Sequence, residues 1–458
     1  MATQNNAPAG GMRDFLPVEA GRRQAVIHTI QEVYRTWGFL PLETPALERL
    51  ATLQGKYGEE GENLMYKVLK RGAKLDKALA SDPRPDDLAD MGLRYDLTVP
   101  LARVMAAHQA DLPAIFKRYQ IQSVFRADRP ARGRYREFSQ CDVDIVGVAG
   151  VDAEADVLGA AAESLHRLGF KQPDDFTLRL NHRQVLAGLL ARAGIPEHLA
   201  GDAMVAIDKA DKIGLDGVRR ELVERGIAST AGNAFLTMAA DMSDLATTED
   251  LLALLEGWLD DFGTARDGVA DLKRLTDLLE AGPAAGRYRI DPLLARGLGY
   301  YTGAIYEVQF PDFPGSGGGG GRYDNLLGMF SGRTVPACGF SFGLERILLI
   351  MADRAMFGEG MERGPQVLAA QMDAAVAGHV HRAANLLREA GLRTDLYPAA
   401  GRLGRQFRYA ESQGIRFVVL AGTSEAEAGE LSVKDLETGE QTTLPLADAV
   451  ARLRALLD

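Results

Sequence analysis

The segment Phe116–Gly147 constrains this chain more than any other. Two runs of alternating residues flank a basic linker, and a period of two is that of a strand whose side chains point to opposite faces. In the second run Arg134, Arg136, Phe138, Gln140, Asp142 and Asp144 share one face. Tyr135, Ser139, Cys141, Val143 and Ile145 occupy the other, which is core-like apart from Glu137. In the first run Arg118, Gln120, Gln122 and Arg126 oppose Tyr119, Ile121 and Phe125. The linker Ala127–Gly133 is too long for a tight hairpin turn and carries Arg129 and Arg132. A sheet built from these strands has one face for a core and one polar face whose use must be explained.

A solvated outer face is the plain explanation. Two features weigh against it. Phe138 stands among the charges, and the arginines gather at the linker while the acids lie deeper. A planar ring beside guanidinium groups suits a nucleobase and its phosphates. Three further stretches carry chemistry-bearing residues. In Arg296-Gly297-Leu298-Gly299-Tyr300-Tyr301, glycines permit close backbone approach and tyrosines offer walls and hydroxyls, although a bulged edge strand reads as well. The run Gly317–Gly321 before Arg322-Tyr323-Asp324 lacks the Lys-Ser/Thr ending of a phosphate loop, and a flexible linker would explain it. Gly343-Leu344-Glu345-Arg346 opens an apolar helix, so Arg346 needs an anionic partner. Adjacent helical residues diverge by about 100°, which leaves a bound anion or a carboxylate on another helix.

Around these segments the pattern changes along the chain. Val26, Ile30, Val33, Tyr34 and Trp37 recur at helical spacing up to Gly38, and Phe39–Leu42 reads as a short strand. Lys70–Asp90, with Pro83 and Pro85, reads as a surface excursion or hairpin. Helical periodicity dominates from Arg183 to about Leu279, and strand-like, Gly-rich sequence returns at Tyr288–Phe310. Past Gly364-Pro365, strands at Val367–Met372, Arg393–Tyr397 and Phe417–Ala421 alternate with helices, which predicts a small, mostly parallel sheet. The simplest architecture is α+β: an antiparallel-sheet domain (1–182 and 281–358) interrupted by a helical insertion (183–280), then an α/β domain (365–458).

Composition narrows the function. Of 458 residues, 46% are hydrophobic and 25% charged, which excludes a disordered or fibrous chain. No apolar run reaches the roughly 18 residues of a membrane span, and Met1–Gly10 lacks a signal-peptide core, so a cytoplasmic protein is expected. Two cysteines and seven scattered histidines supply neither a disulfide framework nor a caged metal. The net charge of −11 argues against coating DNA, while leaving room for a local basic site.

Taken in order, these segments resemble the class II aminoacyl-tRNA synthetases, in particular the histidyl family. Phe125–Asp128 through Arg134–Phe138 resembles the family's second motif and Gly343–Arg346 its third. The helix ending at Trp37 with Gly38–Pro45 resembles the first, which in the family forms the dimer interface. Arg296–Tyr301 and Gly320–Asp324 resemble two signatures of the histidyl enzymes, and Leu93–Pro100 one of their active-site strands. Leu403–Phe407 extends the likeness into the terminal, anticodon-binding domain.

The resemblance implies a site. Arg126 would bind the ATP α-phosphate and the amino-acid carboxylate, and Arg296 the α-phosphate. Phe138 and Arg346 would sandwich adenine, Asp128 would read its amino group, and Arg134 and Arg136 would hold the outer phosphates with magnesium. Asp96, Thr98 and Gln140 would hold the α-amino group. Asp144 and Tyr301 would grip the two imidazole nitrogens, with Tyr300 and Tyr323 closing the pocket. Ala131 and Arg132 would meet the tRNA acceptor end, and Arg405, with Arg402 and Arg408, would lend charge to the anticodon side. The implied partners are L-histidine, ATP, tRNA(His) and a second copy of the chain. Gly299 departs from an Asp common in the family, and Ala131-Arg132 from a Gln-Lys pair. Two other readings are a histidine-binding regulatory subunit of a phosphoribosyltransferase and a synthetase for another amino acid. The arginines and the complete terminal domain oppose the first, and Arg296–Tyr301 opposes the second.

Overall fold

The computed structural model describes residues 6–55, 58–81, 83–245, 247–295, 299–358 and 364–457. They divide into two compact units, Met1–Gly358 and Glu359–Asp458. Strands of the first unit are β1 (Leu40–Pro41), β2 (Leu47–Arg49), β3 (Lys67–Leu69), β4 (Ala89–Leu93), β5 (Phe116–Phe125), β6 (Glu137–Val146), β7 (Thr177–His182), β8 (Tyr288–Ile290), β9 (Ala304–Gln309), β10 (Ser316–Arg322) and β11 (Ala337–Gly343). Eight of them form one sheet in the order β1-β5-β6-β11-β10-β9-β7-β8. Its inner pairings are antiparallel, and only the short edge strands β1 and β8 run parallel to their neighbours.

Alternation works as the sequence predicts. Tyr119, Cys141, Val143, Ile145, Phe340 and Phe342 point to one face and join a core with Val26, Ile30 and Tyr34 of helix Pro17–Thr36. Helices Asp152–Arg167 and Gly263–Glu280 add Val157, Leu158, Val269 and Leu272 to the same core. On the opposite face Phe116, Val146, Ala337 and Ile305 pack with Val99 and Tyr300, Tyr301 and Tyr323. That second cluster covers one end of the polar face and leaves the other end to the site.

Six consecutive helices occupy Arg183–Glu280, from Arg183–Arg192 to Gly263–Glu280. Thr247 accepts a hydrogen bond from the Asp250 amide at 3.1 Å, an N-cap that starts helix Thr248–Leu259. The excursion at Lys70–Asp90 contains helix Ala73–Leu79 and leads into β4, the central strand of a small β2-β4-β3 sheet.

The second unit holds β12 (Val367–Gln371), β13 (Thr394–Leu396), β14 (Phe417–Ala421), β15 (Glu430–Asp435) and β16 (Gln441–Pro445), in the order β13-β12-β14-β15-β16. The first three are parallel, as expected. The sequence reading missed β15 and β16, which add an antiparallel hairpin. Val367 and Ala369 face one core, Leu368 and Ala370 another, so these strands are buried on both sides and read as continuous apolar runs.

Candidate active site

Cross-strand pairing assembles the floor of the site. Arg118 on β5 lies opposite Asp144 on β6, and Asp144 lies opposite Gly339 on β11. One row along, Gln120, Asp142 and Ser341 are aligned, and beyond them Gln122, Gln140 and Gly343. Directly opposed residues share a face, so these three rows form one polar surface. Arg118 is fully buried, with Nη2 at 2.8 Å from Asp144 Oδ2 and 3.6 Å from Asp142 Oδ2. Tyr323 donates its hydroxyl to Asp144 Oδ1. Burial pushes both carboxyls above the usual carboxylate range, and Arg118 opposes the shift. Asp142 Oδ1 and Gln140 Oε1 are buried without a hydrogen-bond donor among the described residues. A floor with two carboxylates, one guanidinium and spare acceptors favours a ligand that brings N–H groups and positive charge.

Glycines let neighbouring side chains close in around this floor. A Cβ on Gly339 would sit 2.0 Å from Asp144 Oδ1, and one on Gly321 would fall 2.8 Å from Tyr301. The glycine run is therefore a central strand, β10, whose missing side chains let Phe310, Tyr301 and the β11 backbone approach closely. A linker would not be paired on both sides as this segment is. Tyr300 reaches Asp96 Oδ2 at 3.5 Å, and its ring meets those of Tyr301 and Tyr323 at 5.0 and 6.2 Å. Asp96 Oδ1 accepts the Val99 amide at 3.0 Å, at the start of helix Thr98–Ala107. Leu93–Pro100 is thus a strand end and a helix start, and Thr98 is the first helical residue.

Beyond Gln140 the floor opens into a cleft lined by Arg126, Asp128, Arg134, Phe138, Ser341 and Arg346 among others. The Arg126 guanidinium lies over the rings of Tyr95 (4.3 Å) and Phe138 (5.2 Å), and its Nε donates to Tyr95 O at 3.1 Å. Arg346 donates to Ser316 O at 2.6 Å and Gly133 O at 3.4 Å. Its neighbour Glu345 is taken by Arg23 at 2.6 Å and the Ser139 amide, and Arg346 lines the cleft. Arg134 lies 3.9 Å from Asp128.

The sequence placed Tyr135 on the core face and Arg136 on the site face. β6 begins only at Glu137, so alternation does not extend to them. Tyr135 lines the cleft, whereas Arg136 donates to Asp128 O and Gly10 O, both at 3.1 Å. Arg132 pairs with Asp353 at 2.6 Å on the surface, and Ala131 forms an isolated bridge with Arg134. Arg402, Arg405 and Arg408 are exposed at the start and along one side of helix Leu403–Ser412 in the second unit. Arg296 lies outside the described residues. Arg118, Tyr95, Ser341 and Asp142 belong to the site although the sequence reading gave them no role. For Asp142 the signal was present, since alternation puts it between Gln140 and Asp144. Among the described residues no group of three His, Cys, Asp or Glu could hold a metal ion. Nor is any described helix long and apolar enough to cross a membrane.

Comparison with known proteins agrees with this geometry. Residues 11–347 match the family model of histidyl-tRNA synthetase, and 366–456 that of an anticodon-binding domain. A histidine–tRNA ligase of Christiangramia forsetii is 38% identical over 97% of this chain and 98% of its own. One of Gloeobacter violaceus is 41% identical over 96% of each. The crystal structure of histidyl-tRNA synthetase from a Nostoc species is 31% identical, covers 99% of this chain and 100% of its own, and superposes with a TM-score of 0.82. A structure titled as an ATP phosphoribosyltransferase regulatory subunit/histidyl-tRNA synthetase, from Bacillus halodurans, shares the fold at 21% identity and a TM-score of 0.73, covering 92% of this chain and 99% of its own. With the family model matched over most of its length and relatives matched from end to end, the chain belongs to the histidyl-tRNA synthetases of class II.

Proposed function

We propose that this protein ligates L-histidine to tRNA(His) in two steps. Histidine's carboxylate oxygen attacks the α-phosphorus of ATP, and the bond to the β-phosphate oxygen breaks, giving histidyl-adenylate and pyrophosphate. A terminal ribose hydroxyl of the tRNA then attacks the carbonyl carbon, and AMP leaves. Two anions must meet in the first step, so fixed positive charge and alignment supply most of the acceleration. Arg126 bridges the α-phosphate and the carboxylate, and Arg296 adds a second charge there. Adenine stacks between Phe138 and Arg346, with Asp128 on its amino group. Arg134 takes the outer phosphates. Arg136 joins it only by leaving the carbonyls of Asp128 and Gly10.

Magnesium accompanies ATP. Of the carboxylates lining the cleft, Glu345 is committed to Arg23 and Ser139, so the residues fit an ion carried by the phosphates with Asp128 alongside. When bound, it would neutralise phosphate charge.

The observation that carries the histidine assignment is the buried Arg118–Asp144–Tyr323 chain beside the spare acceptors of Asp142 and Gln140. Asp144 takes one imidazole nitrogen, and Tyr301 is the partner for the other. Tyr300 and Tyr323 close the pocket, and Asp96, Thr98 and Gln140 receive the α-ammonium. A site that hydrogen-bonds both ring nitrogens can reject apolar competitors by about 10⁴–10⁵ without editing. The regulatory-subunit reading is disfavoured by Arg126 and Arg346 in one cleft and by the matched anticodon-binding domain.

The catalytic domain would comprise 1–182 and 281–358, with 183–280 an inserted helical domain against the acceptor arm and 365–458 the anticodon-binding domain with Arg405. Ala131 and Arg132 would meet the acceptor end. A homodimer in the cytoplasm completes the reading. It is supported by exposed Leu40 and Ile115 along the β1–β5 edge, the kind of apolar edge that a second copy covers.

The test is histidine-dependent ATP–pyrophosphate exchange, followed by charging of purified tRNA(His). Exchange driven by another amino acid and not by histidine would overturn the assignment. Arg296→Ala should lower the exchange rate by at least ~10²-fold, and near-normal exchange would remove Arg296 from the chemistry.

A further inference from the structure

Behind the cleft, one side chain from a distant helix ties two of its walls together. Arg23 lies on helix Pro17–Thr36, and its side chain is 16% exposed. Nη1 donates to Glu345 Oε1 at 2.6 Å, and Nη2 donates to Ser139 Oγ. Glu345, 3% exposed at its side chain, also accepts the Ser139 backbone amide at 3.1 and 3.0 Å. The Phe15 ring covers the Arg23 guanidinium at 4.7 Å. Ser139 stands between Phe138 and Gln140 on β6, and Glu345 immediately precedes Arg346 on helix Leu344–Asp353.

We infer that Arg23 is a positioning residue for the nucleotide. It locks the Ser139 peptide of β6 to the first turn of helix Leu344–Asp353, and so sets the gap between the Phe138 ring and the Arg346 guanidinium. The inference rests on reading that cleft as the ATP site. No other described side chain donates a hydrogen bond to Glu345, so without Arg23 its charge is buried with only an amide as donor. Ser139 and Glu345 then lose the fork that holds them in register. Displacement of a binding wall by about 1 Å costs up to ~10²-fold in an aligned reaction. The effect should fall on ATP, because the Arg118–Asp144–Tyr323 chain makes no contact with Arg23.

The experiment compares KM for ATP and for histidine in pyrophosphate exchange. Arg23→Met keeps the aliphatic stem and removes the fork. It should raise KM for ATP by about tenfold or more and change KM for histidine by less than about twofold. Arg23→Lys keeps a charge on Glu345 but not the fork, and should leave KM for ATP between the values of the original protein and Arg23→Met. Glu345→Gln approaches the same contact from the other side and should reproduce the selective rise even if Arg23→Met folds poorly. Phe138→Ala tests the underlying reading: an unchanged KM for ATP in that variant means the cleft is not the nucleotide site. A raised KM in Phe138→Ala with unchanged values in Arg23→Met and Glu345→Gln overturns the positioning role. Equal rises for ATP and histidine likewise reduce Arg23 to a general structural contact.

Discussion

Asp142 and Asp144 face one guanidinium, and that imbalance has two measurable consequences. The folded chain holds these carboxyls protonated to a higher pH than the unfolded chain does, because burial disfavours the charged form. Native protein therefore binds more protons than unfolded protein above the usual carboxylate range, and stability contributed by the pair falls as pH rises through that window. Asp142→Asn should flatten this slope. Melting temperatures of the ligand-free protein between about pH 4 and 7 check it, since Asp142 is pushed up to about 7, and an unchanged slope would assign the loss to other groups. Asp144 matters chiefly for the amino acid. Asp144→Asn weakens its pairing with Arg118 and removes the charge offered to imidazole, and should raise KM for histidine by about 10- to 100-fold, the scale of one charged hydrogen bond. KM for ATP in the same exchange assay should stay nearly constant.

Glycines give the strands their function. β10 pairs with β9 and β11 along its length, and the space a side chain would occupy is taken by Phe310, Tyr301 and the Gly339 and Ser341 carbonyls of β11. Glycine is therefore what lets these neighbours close in on a regular sheet. Gly339→Ala on β11 puts a methyl 2.0 Å from Asp144 Oδ1, so it should abolish most histidine-dependent exchange, because either the carboxylate or the strand must move. Gly299→Ala meets no described atom within 4 Å and should leave exchange nearly unchanged. The pair of variants separates loss of space from loss of glycine as such. Where strands end, sequence periodicity stops being informative. Tyr135 and Arg136 both left the faces expected of them because β6 starts after them, and Arg136 follows the loop's own hydrogen bonds.

The molecule divides after residue 358 into units with separate cores. Truncation after Gly358 should retain histidine-dependent pyrophosphate exchange within a few-fold while lowering tRNA charging by an order of magnitude or more, since the matched anticodon-binding domain is removed. Equal loss of both activities would mean that the second unit is needed for the first to fold or react. The six-helix stretch Arg183–Glu280 stays within the first unit because Val185, Leu189, Val269 and Leu272 share one core with the sheet.

Alternation in Phe116–Phe125 and Glu137–Val146, helical spacing before Gly38 and the apolar runs at Val367 and Phe417 carried the element types and the two-faced sheet. These are local properties, since each depends only on which face successive side chains take. They also placed Gln140, Asp142 and Asp144 on one face. Tertiary structure decided which strands became neighbours and therefore what each polar residue meets. Only the order β5-β6-β11-β10 puts Arg118 beside Asp144, Gly339 in front of it and Tyr323 on its hydrogen-bonding side. Arg23 and Glu345 are 322 residues apart, so no window of sequence links them. Strand pairing and burial act between distant segments, which is why the chemistry of the pocket emerged only once the sheet had closed around it.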